Sequence, residues 1–176
     1  MKTTAPYFSE MDSPVGSLLL LGDERRLTGL YMHEQRHRPP LPDGCRQNDQ
    51  AFVRVREQLK QYFAGKLQQF ELELAGGGSP FQRSVWQALC KIPFGTTESY
   101  GGLARRIGNA NASRAVGLAN GKNPIGIIVP CHRVVGANGS LTGYGGGLER
   151  KRWLLAHEGA RGLRHSDSGT ESLNLF

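Results

Sequence analysis

The sequence predicts an α+β fold, with strands in the first half of the chain and short helices in the second. The apolar segments 15–21 and 27–32 have the length and composition of two strands joined by a tight turn. Residues 100–107 and 111–121 are two short helical segments separated by Gly108-Asn109, which is the pattern of a helix-turn-helix. A small strand-containing domain followed by a helical domain accounts for these observations.

A glycine-rich stretch, Gly76-Gly77-Gly78-Ser79-Pro80, separates the two parts. Consecutive glycines are flexible, and proline suits the first position of a helix. We therefore predict an N-terminal domain at 1–78 and a C-terminal domain at 79–161. The mostly polar residues 162–176 are predicted to form a flexible tail.

In the N-terminal domain, the predicted strands 15–21 and 27–32 are followed by a loop, a helix and a further strand. Residues 33–50 contain three prolines, which favour a loop. Apolar side chains recur at helical spacing over 52–63 and alternate with other residues over 70–74. These two periods predict a helix and a strand respectively.

The C-terminal domain is predicted to begin with an amphipathic helix at 81–92 and to end with another at 148–158. Between them, 134–135 and 140–144 flank Asn138-Gly139, a pair that strongly favours a tight hairpin. This hairpin, next to a helix-turn-helix, is predicted to form a wing.

The second helix of the helix-turn-helix is unusually rich in small residues, and Arg114 projects from its first turns. Small side chains let a backbone come close to a partner surface, and a single arginine can then reach further. Tight packing against another helix, with Arg114 as a surface charge, explains the same pattern, so both interpretations stay open. The small residues are Ala112, Ala115, Gly117, Ala119 and Gly121.

Charge and hydropathy limit the partner and the location. The formal net charge is +7 and the pI is about 9.7. Residues 1–78 carry ten basic and ten acidic side chains, whereas 79–176 carry twelve and five, so the second half is the predicted nucleic-acid face. No segment approaches the roughly 20 apolar residues of a membrane span, and residues 1–14 lack a signal-peptide core. We expect a cytoplasmic protein that does not contact a membrane.

The segment Pro130-Cys131-His132-Arg133-Val134 places a thiol nucleophile beside a base. The preceding run, 125–129, is apolar and largely β-branched, which predicts a buried strand that ends at Pro130 and delivers Cys131. Adjacent side chains on an extended segment point to opposite faces. His132 is therefore expected to reach the thiol only through a bridging water or a bend.

Two other roles for Cys131 stay open on these residues alone, an inert core thiol and a metal ligand. Zinc sites repeat their ligands at short spacings, whereas Cys45 and Cys90 stand far off without a C-x-x-C pair, so no metal is predicted. His33 and His37 are spaced like a ligand pair but are expected to be solvated loop residues. The glycines match neither a P-loop nor a dinucleotide-binding pattern, so no cofactor is predicted.

Six motifs between about Ser13 and Gly159 form a distinctive set. They are Pro130-Cys131-His132-Arg133-Val134, Asn123-Pro124, Ser113-Arg114-Ala115-Val116-Gly117, Phe81-Gln82-Arg83-Ser84-Val85-Trp86, Gly143-Tyr144-Gly145-Gly146-Gly147 and Leu154-Leu155-Ala156-His157-Glu158-Gly159. As a set they closely resemble the O6-alkylguanine-DNA alkyltransferases. The resemblance implies a ribonuclease-H-like α/β N-terminal domain and a winged helix-turn-helix C-terminal domain that holds the active site.

The resemblance also implies a reaction, the direct reversal of DNA damage. An alkyl group moves from O6 of guanine, or O4 of thymine, to a cysteine sulfur. A thiolate is a strong nucleophile toward saturated carbon, and the thioether product is stable, so each molecule is expected to act once. The implied partner is double-stranded DNA bearing O6-alkylguanine, bound by a protein that is a monomer in solution, with cooperative binding on DNA left open.

Four catalytic residues carry over by position. Cys131 is the acceptor, and His132 is the base that draws its proton through a water. Glu158 orients and stabilises this histidine. Asn123 shapes the turn that positions the cysteine.

Four further residues are implied to bind DNA or the damaged base. Tyr100 hydrogen-bonds the flipped guanine and helps to neutralise it as it leaves. Tyr144 lines the same pocket, and Lys151 contributes near the cysteine. Arg114 enters the minor groove with its helix and fills the stack left by the extruded nucleotide.

Some properties stay open at this level. Arg105, Arg106 and Lys122 are candidates for phosphate contacts. Asn120 and Gly145 occupy positions that vary around the pocket in the family, so the range of accepted alkyl groups is not set. A winged-helix regulator that senses alkylation and a cysteine hydrolase with turnover are the alternative functions. The chain lacks the length and ligand cysteines of the extra metal-binding module in some relatives, so a stand-alone repair protein is expected.

Overall fold

A computed structural model describes residues 6–163, and its N-terminal part is built on a four-stranded sheet. Strands β1, β2 and β3 are antiparallel neighbours, and the short β4 runs parallel to β1. The order across the sheet is β3-β2-β1-β4. The strands span Tyr7–Met11 (β1), Leu18–Gly22 (β2), Leu27–Met32 (β3) and Arg46–Gln47 (β4).

The central strand β2 is buried along its whole length. Its side chains alternate between two apolar clusters, with Leu18 and Leu20 in the main core and Leu19 and Leu21 in a small cluster with Tyr31. A short 3-10 helix leads into helix α1, Val53–Phe63, whose buried side chains recur every three or four residues and join the main core.

Within the described residues, the C-terminal part consists of four α-helices, one short 3-10 helix and a two-stranded parallel sheet. Ser79 accepts a hydrogen bond from the Gln82 N–H and starts α2 with a reciprocal capping box, and the Ser99 side chain accepts from the Gly102 N–H at the start of α3. The helices span Pro80–Leu89 (α2), Tyr100–Arg106 (α3), Ser113–Gly121 (α4) and Leu148–His157 (α5), and the strands span Glu98–Ser99 (β5) and Val134–Val135 (β6). The predicted α+β class is confirmed.

The two parts share one continuous apolar core. At its centre, β3 contacts the segment that precedes the cysteine. The Leu30 N–H donates to the Pro124 carbonyl at 2.9 Å, and the Gly126 N–H donates to the Leu30 carbonyl at 3.1 Å. The N-terminal sheet therefore supports the chain just before Cys131.

Several predicted elements differ from the structure in the N-terminal part. Strands β1 and β4 were not predicted, and β2 begins at residue 18 rather than 15. The predicted strand 70–74 does not form, because only Leu74 makes a bridge, to Leu27. Its apolar side chains Phe70 and Leu72 instead pack onto the main core from an irregular segment.

The predicted wing hairpin is also different. A tight turn does connect Gly136 to Ser140, whose carbonyl accepts from the Gly136 N–H at 2.8 Å. However, β6 pairs in parallel with β5 rather than with residues 140–144. The two-residue strand finds its ladder partner beside α3, so the Asn138-Gly139 pair makes a turn without two long arms.

Two further expectations concern the membrane and the tail. Within the described residues, none of the helices has both the length and the apolar character needed to span a membrane. Of the predicted tail, 162–176, all but the first two residues lie outside the part of the chain that the structure describes.

Candidate active site

The segment before the cysteine is a turn, so the predicted strand at 125–129 is wrong. The Asn123 carboxamide donates to the Val129 carbonyl at 2.8 Å and accepts from the Ile125 N–H at 3.0 Å. Ile127 adopts a φ of +68°, which is strained for a β-branched residue. One amide thus satisfies backbone groups that a neighbouring strand would have paired. The apolar side chains are buried all the same, which is why the pattern resembles a strand.

Cys131 begins a short 3-10 helix, Cys131–Arg133, directly after Pro130. The residue is 7% exposed, and its carbonyl accepts from the Asn120 carboxamide at 3.3 Å. Because the chain is helical here, the opposite-face geometry of an extended strand does not apply. Of the two ways in which His132 was expected to reach the thiol, a bridging water or a bend in the chain, the structure contains the bend.

The environment of the thiol favours its protonated form at rest. Burial raises the pKa of Cys131, and the Asn123 hydrogen bond and the Lys151 charge oppose this effect without cancelling it. A nucleophilic role for Cys131 therefore needs a base.

His132 is fully buried and has the geometry of such a base. Its Nε2 lies 2.8 Å from Oε1 of Glu158. A carboxylate can only accept, so Nε2 carries the proton and Nδ1 keeps its lone pair. Burial lowers the pKa of His132 more than the Glu158 charge raises it, so the ring is neutral at pH 7. Among residues 6–163, no group hydrogen-bonds to Nδ1, which leaves this atom available to accept a proton.

Glu158 is held by five donors from three parts of the chain. Arg133 donates from Nε to Oε2 at 2.9 Å and from Nη2 to Oε1 at 3.0 Å. The Tyr62 hydroxyl donates to Oε1 at 2.7 Å, and the Gly95 N–H donates to Oε2 at 3.4 Å. Burial raises the pKa of Glu158, but the hydrogen bonds from His132 and Arg133 and the Arg133 charge outweigh it and bring the pKa well below its usual range. The carboxylate is therefore ionised and immobile.

A cavity of about 390 Å³ lies between α4 and residues 142–145. This volume falls at the lower end of small-ligand sites. Tyr100 lines one wall and donates from its hydroxyl to the Thr142 carbonyl at 3.0 Å. Tyr144 lines another wall, and its pKa is raised well above its usual value, first by burial and then by the proximity of Cys131. Two aromatic rings thus border the cavity, and Cys131 lies near enough to both phenols to raise their pKa values.

Lys151 is fully buried and contacts two residues of the cavity wall. Its Nζ donates to the carbonyls of Val134 at 2.6 Å, Thr142 at 3.0 Å and Gly143 at 3.3 Å. Burial lowers the pKa of Lys151 to about 8, and the neighbouring Cys131 opposes this shift. Lys151 thus holds the loop that carries Tyr144 in place through hydrogen bonds. Its positive charge also stabilises negative charge on the thiol.

Helix α4 has two different faces. Val116 and Ala119 are buried, and the Ala119 carbonyl accepts from Nε1 of Trp86 at 2.9 Å. Arg114 lies on the exposed face and forms no ion pair within residues 6–163, and Leu118 is 67% exposed. The buried face therefore packs against the domain, as the second interpretation expects, and approach of the exposed face to a partner surface stays a prediction.

The three candidate phosphate ligands are not equivalent. Arg106 forms an ion pair with Glu98 at 2.7 Å, which partly neutralises it. Arg105 is exposed, and Lys122 is exposed at the end of α4 and lines the cavity. Lys122 is the one of the three that borders the candidate site.

Family models match nearly the whole of the described chain. Residues 80–160 match the DNA binding domain of 6-O-methylguanine DNA methyltransferase, and residues 7–75 match its ribonuclease-like domain. The chain belongs to this family.

Similar proteins extend over almost the full length. A methylated-DNA--protein-cysteine methyltransferase of Mycolicibacterium paratuberculosis is 53% identical over 169 residues, covering 96% of this chain and 98% of the relative. A protein of the same name from Methanosarcina acetivorans is 50% identical and covers 88% of this chain and 99% of the relative. The crystal structure of Mycobacterium tuberculosis OGT in complex with DNA aligns with a TM-score of 0.84 and 52% identity, over 86% of this chain and 92% of that one.

Within this 6-O-methylguanine DNA methyltransferase fold, most of the predicted site residues come together. Those around the thiol are Cys131, His132, Glu158, Asn123 and Lys151, those on the cavity wall are Tyr100 and Tyr144, and Arg114 lies apart on the outer face of α4. The sequence analysis missed Arg133 and Tyr62 as partners of Glu158. Arg133 adjoins His132 in the sequence and could have been considered, whereas no local signal marks Tyr62.

Proposed function

We propose that this protein repairs alkylated double-stranded DNA by transferring the alkyl group from O6 of guanine to Sγ of Cys131. One observation carries the proposal. Beside the thiol stands a neutral His132 whose Nε2 is anchored on Glu158 at 2.8 Å and whose Nδ1 is free to accept a proton. Membership of the family and the names of its relatives support the same reaction.

The transfer is a single displacement. His132 accepts the thiol proton through a water, and the thiolate attacks the alkyl carbon. A bond forms between sulfur and carbon as the bond between carbon and O6 breaks. The guanine leaves with the electron pair and takes up a proton, so that unmodified guanine and a thioether remain. No bond in the thioether is open to water or thiols, so each protein molecule reacts once.

The surrounding side chains assist each partner in this displacement. Glu158 stabilises the imidazolium that forms on His132, since its carboxylate lies against the ring. Lys151 stabilises the thiolate. The Tyr100 hydroxyl, which donates to Thr142 in the free protein, turns to the departing base and hydrogen-bonds it as negative charge develops.

The exposed face of α4 is the DNA-binding surface in this proposal. Its small side chains allow a close approach to the minor groove, and Arg114 fills the gap left by the extruded nucleotide. Extrusion costs a few kcal/mol and is cheapest for a damaged base, which favours lesions. The flipped base enters the cavity between Tyr100 and Tyr144. The protein acts as a monomer in the cytoplasm.

Incubation with duplex DNA that carries a labelled O6-methylguanine tests the proposal. We expect the label to move to the protein, to saturate near one methyl group per chain, and to appear on Cys131 in intact-mass and peptide-mass measurements. Cys131→Ala should bind the duplex without taking up label. Cys90→Ala, which changes an exposed cysteine, is the matched control and should react normally.

Two other outcomes would replace the proposal. Repeated loss of methyl groups from DNA without a mass change on the protein would indicate a hydrolase. Binding to the lesion without transfer would indicate a regulator that senses alkylation.

A further inference from the structure

Tyr62 brings the N-terminal domain into the candidate active site. It lies on α1, is fully buried, and donates a hydrogen bond from its hydroxyl to Glu158 Oε1 at 2.7 Å across a separation of 96 residues. Nothing in the resemblance assigned a role to this residue.

The Tyr62 hydroxyl is held in place by packing on all sides. Rings of Phe63, Phe70, Phe94 and His157 surround the phenol, with centroids 5.1 to 6.1 Å away. The Tyr62 carbonyl also accepts from His157 Nε2 at 2.7 Å. Two hydrogen bonds therefore join residue 62 to residues 157 and 158, and the phenol cannot turn away from the carboxylate without disturbing both.

The hydrogen bond from Tyr62 competes with the one from His132. Oε1 of Glu158 accepts from Tyr62, from His132 Nε2 and from Arg133 Nη2. Each donor polarises the oxygen and leaves less negative charge to face the imidazole. The charges of Arg133 and Lys151 also act on the ring, and both lower the pKa of His132.

We propose that Tyr62 is a positioning residue that orients Glu158 and restrains the basicity of His132, and that it thereby sets the pH range in which Cys131 is activated. This inference rests on the proposed function for its meaning. The direction of the expected change in the His132 pKa follows from the geometry alone. Loss of the phenol hydroxyl leaves more charge on Oε1, so the imidazolium becomes more stable and His132 retains its proton to higher pH.

Tyr62→Phe removes the donor and keeps the ring packing. We expect the His132 titration, followed by NMR of the imidazole in the full chain, to move up by about one pH unit, the order expected for a hydrogen bond to a charged group. The acid limb of the pH–rate profile for S-alkylation of Cys131 should move by the same amount, since protonated His132 cannot accept the thiol proton. Iodoacetamide, used with a protein that also carries C45S and C90S, reports this rate without DNA.

Tyr31→Phe is the matched control. Tyr31 is also buried in the N-terminal domain, and its hydroxyl makes no hydrogen bond within residues 6–163. This variant should change neither the His132 titration nor the acid limb of the pH–rate profile. If Tyr62→Phe matches the wild-type titrations, or if Tyr31→Phe produces an equal shift, the inference is rejected.

A second probe covers the case in which Tyr62→Phe does not fold. A 3-fluorotyrosine at position 62 is a stronger donor and should move the His132 titration to lower pH, and an upward or absent shift would overturn the inference. The NMR measurement involves no DNA. It therefore separates failure of this inference from failure of the repair reaction, which would leave the His132 shift intact.

Discussion

The side chains around Glu158 and those on the outer face of α4 differ in burial, in hydrogen bonding and in charge balance. His132, Arg133 and Glu158 have side chains that are 0 to 8% exposed, and opposite charges face one another. Arg114 and Leu118 lie in solvent with no ion pair or cover in the described part of the chain. The first region is complete in the free protein, whereas the second has surface that only a partner can bury. Under the proposed function, the groups for proton transfer are thus preorganised, whereas those for lesion recognition are not.

Glu158→Gln disrupts the buried region and should have the largest effect of the variants considered, on both stability and alkyl transfer. The substitution leaves Arg133 buried without its counter-charge, which costs about 3–5 kcal/mol in the free energy of unfolding. Alkyl transfer should fall by at least about 100-fold, since His132 loses its orienting carboxylate. Urea unfolding and single-turnover transfer from lesion-bearing duplex measure the two losses.

Glu149→Gln is the control for this change, because Glu149 is an exposed carboxylate in the first turn of α5, the helix that Glu158 follows. It should change stability by less than about 0.5 kcal/mol. Similar losses in both variants would contradict a special role for the buried carboxylate.

Lowering the pH should protonate the same carboxylate. The resulting loss in the free energy of unfolding should be smaller than that caused by the substitution. The folded-state pKa of Glu158 lies below its ordinary value of 4.5, so the unfolded chain binds the proton first as the pH falls. Stability from this group is full above pH 4.5 and is lost progressively below it. Unfolding free energies measured from pH 6 downward should therefore decline more steeply in the wild type than in Glu158→Gln. Parallel curves would show that other groups dominate the acid response.

Arg114→Ala tests the exposed region, and its effect should depend on the substrate. Transfer from duplex DNA should fall by about 10- to 100-fold, in line with loss of a contact worth 1–3 kcal/mol. Transfer from free O6-benzylguanine, where it is a substrate, should be unchanged, because no stack has to be filled. Arg54→Ala, at an exposed position on α1, is the control for loss of one positive charge. Equal losses on duplex and free base would reject the stack-filling role.

Gly117→Ala should have the smallest effect on the repair rate. Gly117 lies on α4 and lines the cavity. Alanine in place of a glycine inside a helix stabilises by about 0.5–1 kcal/mol. The added Cβ would stand 3.7 Å from the Tyr100 ring at the cavity wall, so duplex repair should slow while the Tm rises. Gly77→Ala, outside α4 and the cavity, adds a Cβ that meets nothing within 4 Å and should leave repair unchanged.

Periodicity predicted the helices well, because each α-helix has a buried stripe that local spacing reveals. The helix predicted at 52–63 forms at Val53–Phe63, and the one at 148–158 forms at Leu148–His157. The strand at 125–129 failed for a physical reason. A buried turn has apolar side chains just as a buried strand does. The turn is possible here because the Asn123 side chain provides hydrogen bonds to its backbone groups.

The site was predicted mostly through resemblance rather than through local physics. From the residues alone, Cys131 stayed open between a nucleophile, a core thiol and a metal ligand. The Tyr62 contact with Glu158 could not be predicted from the sequence, because it joins residues 96 apart and no periodic pattern marks it. Arg133 binds the same carboxylate across 25 residues. Such pairs become apparent only when the tertiary fold is known.

The scatter of the groups that hold Glu158 has a consequence during protein synthesis. They come from α1, from Gly95 and from the 3-10 helix after Pro130, while the carboxylate itself follows the last helix of the fold. On the ribosome, Cys131 emerges long before this carboxylate does. A half-made chain thus has Cys131 and His132 but not the carboxylate that orients the imidazole, so the buried His132–Glu158 pair can form only after the last helix has been synthesised.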